Sequence, residues 1–210
     1  MDSVETKLDP RVIRTRRLLR ESFMELVAEN GYWDITIQDI TDRATLNRVT
    51  FYLHYDNKED LLVQTTNHIL DELVKRVETP KEGASPREMV QAALEANFQV
   101  YANYADFMKA MLGKDGVWSF IFAMQDYHFR ASMESFQMMG KDFDPKKEQE
   151  IQIFLRGMHS TFMGVLQWWL TNDMSLPREE MAQIVYKIYT QGIYRCLGYK
   201  ITEDGEFVDE

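Results

Sequence analysis

The chain has 210 residues, 45% hydrophobic and 12% aromatic, with a formal net charge of −10 and one cysteine, Cys196. That length builds one good core or two small ones, the apolar content excludes disorder, and a lone thiol excludes an internal disulfide and fits a reducing compartment. The acidity, with a pI of about 5.0, argues against a general nucleic-acid coat but leaves room for a local DNA-facing surface.

In residues 10–30, Val12, Leu19, Phe23, Leu26 and Val27 recur at helical spacing, and Gly31 ends that helix as a left-handed cap. Five arginines, Arg11, Arg14, Arg16, Arg17 and Arg20, fall in its first half, either as a phosphate-facing surface or as the solvated side of the helix. Thr36 opens a second helix as a capping residue with Asp39 three positions on, and Ile37 and Ile40 face inward up to about Ala44. Thr45 and Leu46 make a turn, and Asn47 caps a third helix of about eight residues before Asp56 and Asn57 break it. So short a helix is not stable by itself, so packing must hold it. Phe51 and Tyr55 face the core, and Arg48, Val49 and Tyr52 fall on a different face. A short helix presented by another helix and a tight turn is the helix-turn-helix arrangement, whose second helix enters the DNA major groove.

Asn57 caps a long fourth helix, about 57–78, with Leu62, Thr66, Ile69 and Leu73 in one stripe. Pro80–Pro86 reads as a linker, and Asp115–Gly116 and Asp144–Pro145 as further breaks. From 146 to 172, Ile151, Leu155, Met158, Phe162, Val165 and Trp169 form a coiled-coil-like stripe. Pro177 starts a last helix, to about 197, with Met181, Val185, Ile188 and Gly192 aligned. No alternating strand pattern of useful length and no internal repeat is present. The expected fold is all-α with about nine helices.

From about Arg14 to Leu62 the sequence resembles the DNA-binding domain of the TetR family of bacterial transcriptional regulators. The matching residues are Gly31–Tyr32, Thr36, Asp39–Ile40, Ala44, Thr50–Phe51–Tyr52, His54–Tyr55 and Lys58–Glu59–Asp60–Leu61–Leu62. The resemblance implies a DNA-binding domain over 1–56 and a helical ligand-binding and dimerisation domain over 57–210, joined by the fourth helix. It implies that Gln38, Arg48, Val49 and Tyr52 approach bases and that Thr36, Thr50, His54 and Lys58 contact phosphates of a double-stranded operator. The chemistry suits these roles: Arg pairs with guanine O6 and N7, Gln with adenine, and Val touches a thymine methyl. His54 also reads as an ordinary surface histidine, and Tyr52 as partly buried packing. Two departures stand out, Thr45 where the family usually has glycine and Val49 where a smaller residue or proline is common.

Residues 98–143 are dense in Phe, Tyr, Trp and Met, a composition that serves either as plain core or as an adaptable apolar pocket. The resemblance implies a small, largely apolar or aromatic effector there, with Trp118, Phe122, Tyr127 and His128 as candidates. Small residues along the 146–172 helix, Gly157, Ser160, Thr161 and Gly164, with Trp168, Ile188 and Gly192, point to a homodimer built from the last two helices, unless the glycines only make room for Trp168.

The four histidines show no metal spacing, and no phosphate-loop or dinucleotide-binding motif is present, so no cofactor, no metal and no enzyme activity is expected. The polar start MDSVETKLDP has no apolar signal core, and runs such as VWSFIFAM fall far short of the roughly 18 residues of a membrane helix. A cytoplasmic protein with no membrane partner is therefore expected. The expected function is a ligand-responsive repressor on a palindromic operator. The alternatives are an adaptor or coactivator of the same fold acting through protein contacts and, behind it, a small helical enzyme.

Overall fold

The computed structural model describes residues 9–76, 84–138, 148–196, 199–201 and 207–209. The linker expected from Pro80 lies outside these residues up to Gly83, as does the break at Asp144–Pro145. Among the described residues there are nine helices: α1 (Pro10–Asn30), α2 (Ile37–Arg43), α3 (Arg48–Tyr52), α4 (Lys58–Arg76), α5 (Pro86–Asn103), α6 (Ala105–Leu112), α7 (Trp118–Met138), α8 (Glu148–Thr171) and α9 (Arg178–Cys196). Two three-residue strands, β1 (Tyr199–Ile201) and β2 (Phe207–Asp209), follow and pair antiparallel with Lys200 opposite Val208. Strands this short leave no period-two signature in a sequence, which is why none was expected.

The helix ends follow the local chemistry. Asp9 caps α1 by accepting from the Arg11 N–H at 2.8 Å, with Pro10 in the first turn. Gly31 ends α1 with φ 85° and ψ 155°, an extended conformation at positive φ rather than the left-handed helical cap expected, and one essentially reserved for glycine. Thr36 and Asp39 form a reciprocal capping box at α2, and Ser85 and Glu88 form another at α5. α9 is not continuous: Gly192 has φ 77° and ψ 161°.

The chain gathers into two compact units. The first contains the residues up to His68 together with Asp106–Ile121. Its core holds Leu19, Phe23, Ile40, Phe51, Tyr55, Leu61, Phe107, Met111 and Phe120, all buried. Phe23 meets Phe107 edge-on at 6.0 Å, and Phe107 meets Phe120 at 5.8 Å, so α6 and the start of α7 pack with the N-terminal helices. Each such buried ring or Leu side chain contributes about 1.5–3 kcal/mol over its exposed state. The second unit contains Ile69–Ala105 and the residues from Phe122 onward. There α5 packs on α9, and α8 buries Leu155, Phe162, Leu166 and Trp169. Leu155, Phe162 and Trp169 belong to the stripe read from the sequence, whose other members, Ile151, Met158 and Val165, are half-buried. Trp169 donates its indole N–H to the Leu176 carbonyl at 2.8 Å, which ties down the turn into α9.

Candidate nucleic-acid interface

α2 and α3 meet at a turn in which Thr45 adopts φ 56° and the Leu46 N–H donates to the Thr41 carbonyl at 2.8 Å. A β-branched residue at positive φ is strained, and this is the position where glycine would carry no such cost. Asn47 then caps α3, its Oδ1 accepting from the Thr50 N–H at 2.8 Å. α3 is five residues rather than eight, because Leu53 already forms its C-cap. Phe51 and Tyr55 are buried and their rings meet at 5.6 Å, tilted by 46°, fixing the helix in the core as the spacing requires.

The outward face of α3 carries two i,i+4 rails. Arg48 and Tyr52 form one: the guanidinium lies 6.0 Å from the ring centre and donates to the Tyr52 hydroxyl at 3.3 Å. Val49 and Leu53 form the other, 70% and 75% exposed. Leu53 was not among the residues singled out from the sequence; its signal is its place four residues after Val49. A large apolar side chain held this far into water has no stabilising role in the folded chain. Gln38, on α2, is exposed and donates to Asp42 Oδ1 at 2.6 Å.

The residues assigned to phosphates are differently placed. The Thr36 hydroxyl donates to Asp39 Oδ2 at 2.6 Å, and the Thr50 hydroxyl donates to Asn47 Oδ1 at 3.0 Å. Both reach a phosphate only by turning away from these caps. His54 is half-buried, and burial together with the positive charge of Arg16 pushes its pKa below the ordinary value. It therefore offers a neutral N–H at pH 7. Lys58 is directed into the protein: its Nζ donates to the carbonyls of Tyr32 at 2.7 Å and Ile35 at 2.8 Å and sits 4.3 Å from the centre of the Tyr32 ring. Two of its three N–H donors thus hold the segment between α1 and α2. Glu59, the next residue, accepts from the Tyr32 hydroxyl and from the Ser119 hydroxyl, each at 2.8 Å. On α1, Arg11, Arg14 and Arg17 are exposed, whereas Arg16 and Arg20 are partly covered.

In the second unit the effector candidates separate. Phe122 is 61% exposed there, as Trp118 is at 71% in the first unit, so neither ring is enclosed by the chain. At the start of α7 the inward positions are Val117, Phe120 and Met124, and these take the packing. Tyr127 is half-buried and His128 buried. His128 Nε2 lies 2.7 Å from the Tyr101 hydroxyl, and its ring stacks on His159 at 5.7 Å and 23°. His159 and Tyr101 were missed because their helices, α8 and α5, lie far from α7 in sequence.

The residues assigned to association lie mostly on one face of α8. Gly157 and Gly164 are exposed, Thr161 is half-buried, and Trp168 is 49% exposed, with Ile153 at 69% on the same face. A Cβ added at either glycine meets nothing within 4 Å, so neither glycine makes room for Trp168 within the chain. Ile188 is half-buried on α9. Gly192 does not continue that helical stripe, because its extended, positive-φ backbone breaks the helix there. This corrects its placement on a continuous face.

No helix among the described residues is long and apolar enough to cross a membrane, and no group of three or more His, Cys, Asp or Glu among them could hold a metal ion.

The sequence profile of the bacterial regulatory proteins of the tetR family matches residues 21–65, and that of a transcriptional regulator C-terminal region matches residues 88–191. The chain is 28% identical over 181 residues to the uncharacterized HTH-type transcriptional regulator YxbF of Bacillus subtilis, covering 85% of this chain and 45% of that protein. It is 21% identical to YerO of the same organism, covering 82% of this chain and 62% of that protein. The chain therefore spans about half to three-fifths of the length of these curated relatives. Among solved structures, the fold matches FadR from Bacillus subtilis in complex with stearoyl-CoA, with a TM-score of 0.62, 18% identity, and 84% and 98% of the two chains covered.

Proposed function

The chain belongs to the tetR family of bacterial transcriptional regulators, and from that premise we propose that it is a ligand-responsive repressor that binds a palindromic operator as a homodimer in the cytoplasm. The family regulates transcription and is not one of enzymes. The observation that carries the reading is α3 itself. Its Phe51 side is locked in the core, while Arg48, Val49 and Tyr52 stand in solvent on the other side. A folded chain gains little from such a face unless it meets a partner, and the donor-rich, apolar-edged pattern suits base edges in the major groove. Residues 1–56 serve in this reading as the DNA-binding domain and 57–210 as the ligand-binding and dimerisation domain.

Homodimerisation is supported by the α8 face. Exposed Ile153 and Trp168 flank Gly157 and Gly164, and the glycines allow close approach of a second helix. Ligand control is supported by the buried polar residues in the aromatic interior of the second unit, His128 among them. A relative of the same fold, FadR, is solved with stearoyl-CoA. Effector binding shifts the separation of the two reading helices from the roughly 34–36 Å that successive major grooves require.

The test is a mobility shift with the promoter DNA beside the protein's own gene. The expected result is a sequence-specific complex of two chains per operator, abolished by substitutions on the α3 face. A protein that binds no such DNA and instead captures transcription proteins would be the adaptor.

A further inference from the structure

We propose that the Tyr101–His128–His159 cluster, enclosed by α5, α7 and α8, is a ligand-anchoring site at which a largely apolar molecule places one uncharged hydroxyl or phenol group against His159 Nε2. The inference rests on the ligand-responsive reading above and deepens it by naming the anchor and the chemistry of the ligand's polar end.

Three polar side chains from three helices converge in an otherwise apolar interior. Tyr101 is fully buried and engages His128 Nε2 at 2.7 Å. His128 stacks on His159, whose Nε2 is buried with no hydrogen-bond partner in the protein. Phe162 closes against both, with ring centres 5.4 Å from His128 and 6.1 Å from Tyr101, and Tyr127 lies edge-on to His128 at 5.4 Å. An orphaned ring nitrogen destabilises the folded chain, whereas an apolar side chain of similar shape would not. The arrangement is therefore poor as core and good as a site. On α5, one turn before Tyr101, Asn97 Oδ1 is a second buried acceptor with no partner.

The local charge selects the ligand. Burial, together with the neighbouring His159, pushes the pKa of His128 down to about 3, and burial pushes that of His159 to about 4, so both rings are neutral at pH 7. The charges acting on Tyr127 are Glu134 and Asp71, both acidic. Arg156, one turn before His159, lies instead over the Phe129 ring, 4.8 Å from its centre, and is exposed. A carboxylate or phosphate would enter this site without a counter-charge. A hydroxyl or phenol both donates and accepts, and so satisfies His159 in either tautomer. The aromatic surroundings take the apolar remainder.

The experiment compares 1-naphthol and naphthalene, the same ring system with and without the hydroxyl, by calorimetry on the full chain and its His159→Phe variant. The parent should prefer 1-naphthol by about tenfold, the worth of one buried hydrogen bond. His159→Phe should erase that preference while unfolding at or above the parent's midpoint, since it removes the orphaned nitrogen. A merely structural histidine would instead lose stability on substitution. Should the variant not fold, the ring-nitrogen NMR signal of His159 in the parent should move with 1-naphthol and stay with naphthalene. Equal affinity for the two probes, a preference unchanged by the substitution, or binding of neither probe overturns the proposal. Release of operator DNA is scored separately: 1-naphthol that binds at His159 without releasing DNA refutes ligand-controlled repression and leaves the anchor standing.

Discussion

The Lys58 ammonium is bound to the Tyr32 carbonyl at 2.7 Å, across the start of α4 and the segment that ends α1. With the second bond to Ile35, this makes Lys58 a buttress of the segment between α1 and α2 as well as a candidate phosphate contact. Lys58→Ala is expected to lower stability by about 1–3 kcal/mol, because it leaves two part-buried carbonyls without their charged donor. If the third N–H also meets a phosphate, the slope of log affinity against log salt falls by about one unit. Urea unfolding and a salt titration of operator binding measure the two effects independently.

Arg48→Ala should spare the core, since the side chain is exposed and bonds to Tyr52, itself half exposed. Stability should stay within about 0.5 kcal/mol of the parent. Affinity for the operator should fall by about 1–3 kcal/mol, and discrimination should relax at particular base pairs only. Binding measured across single-base operator variants checks this. A uniform loss over all positions would make Arg48 a phosphate contact instead.

Thr45 carries φ 56° at the turn between α2 and α3. Thr45→Gly relieves a left-handed conformation that costs a non-glycine residue about 1–2 kcal/mol, against a larger chain entropy lost on folding of about 0.5–1 kcal/mol. A net gain of up to about 1 kcal/mol is expected, read as a higher urea midpoint at unchanged m-value.

Two buried histidines make stability fall with acid. The folded pKa values of His128 and His159, about 3 and about 4, lie below the ordinary 6.5. Above pH 6.5 both rings are neutral whether the chain is folded or not, and nothing is lost. Below it the unfolded chain takes up protons that the folded chain refuses, so stability declines by about 1.4 kcal/mol per pH unit for each ring until the folded values are reached. Urea melts at pH 7.5 and pH 5 should show this loss, and His159→Phe should remove roughly half of it.

The α8 glycines separate folding from association. Gly157→Ala should be neutral or stabilising by up to about 1 kcal/mol, since the new Cβ meets nothing within 4 Å and alanine favours the helix. Gly164→Glu should leave the monomer folded and shift light scattering at micromolar concentration from two chains to one. A parent protein that is already monomeric there would remove the dimer.

The helices up to α4 and the last two, the caps at Thr36 and Asn47, and the division of α3 into an inward and an outward face were readable in the sequence. Each depends on residues within four positions of one another: Thr36 with Asp39, Asn47 with Thr50, and Phe51 with Tyr55. The stripe of α8 was readable for the same reason, as was the all-helical class. Tertiary structure decided what local spacing cannot encode. Trp118 and Phe122 occupy the outward positions at the start of α7, because packing against Phe107 of α6 claims Phe120 instead. Lys58 reaches back 26 residues to a carbonyl, and Tyr101, His128 and His159 meet only when three helices are assembled. Gly192 breaks a helix whose side-chain pattern runs on through it, since the stripe specifies which side is apolar but not where a glycine will leave helical geometry. Short-range hydrogen bonding and periodicity are properties of sequence, whereas burial belongs to the assembled neighbours.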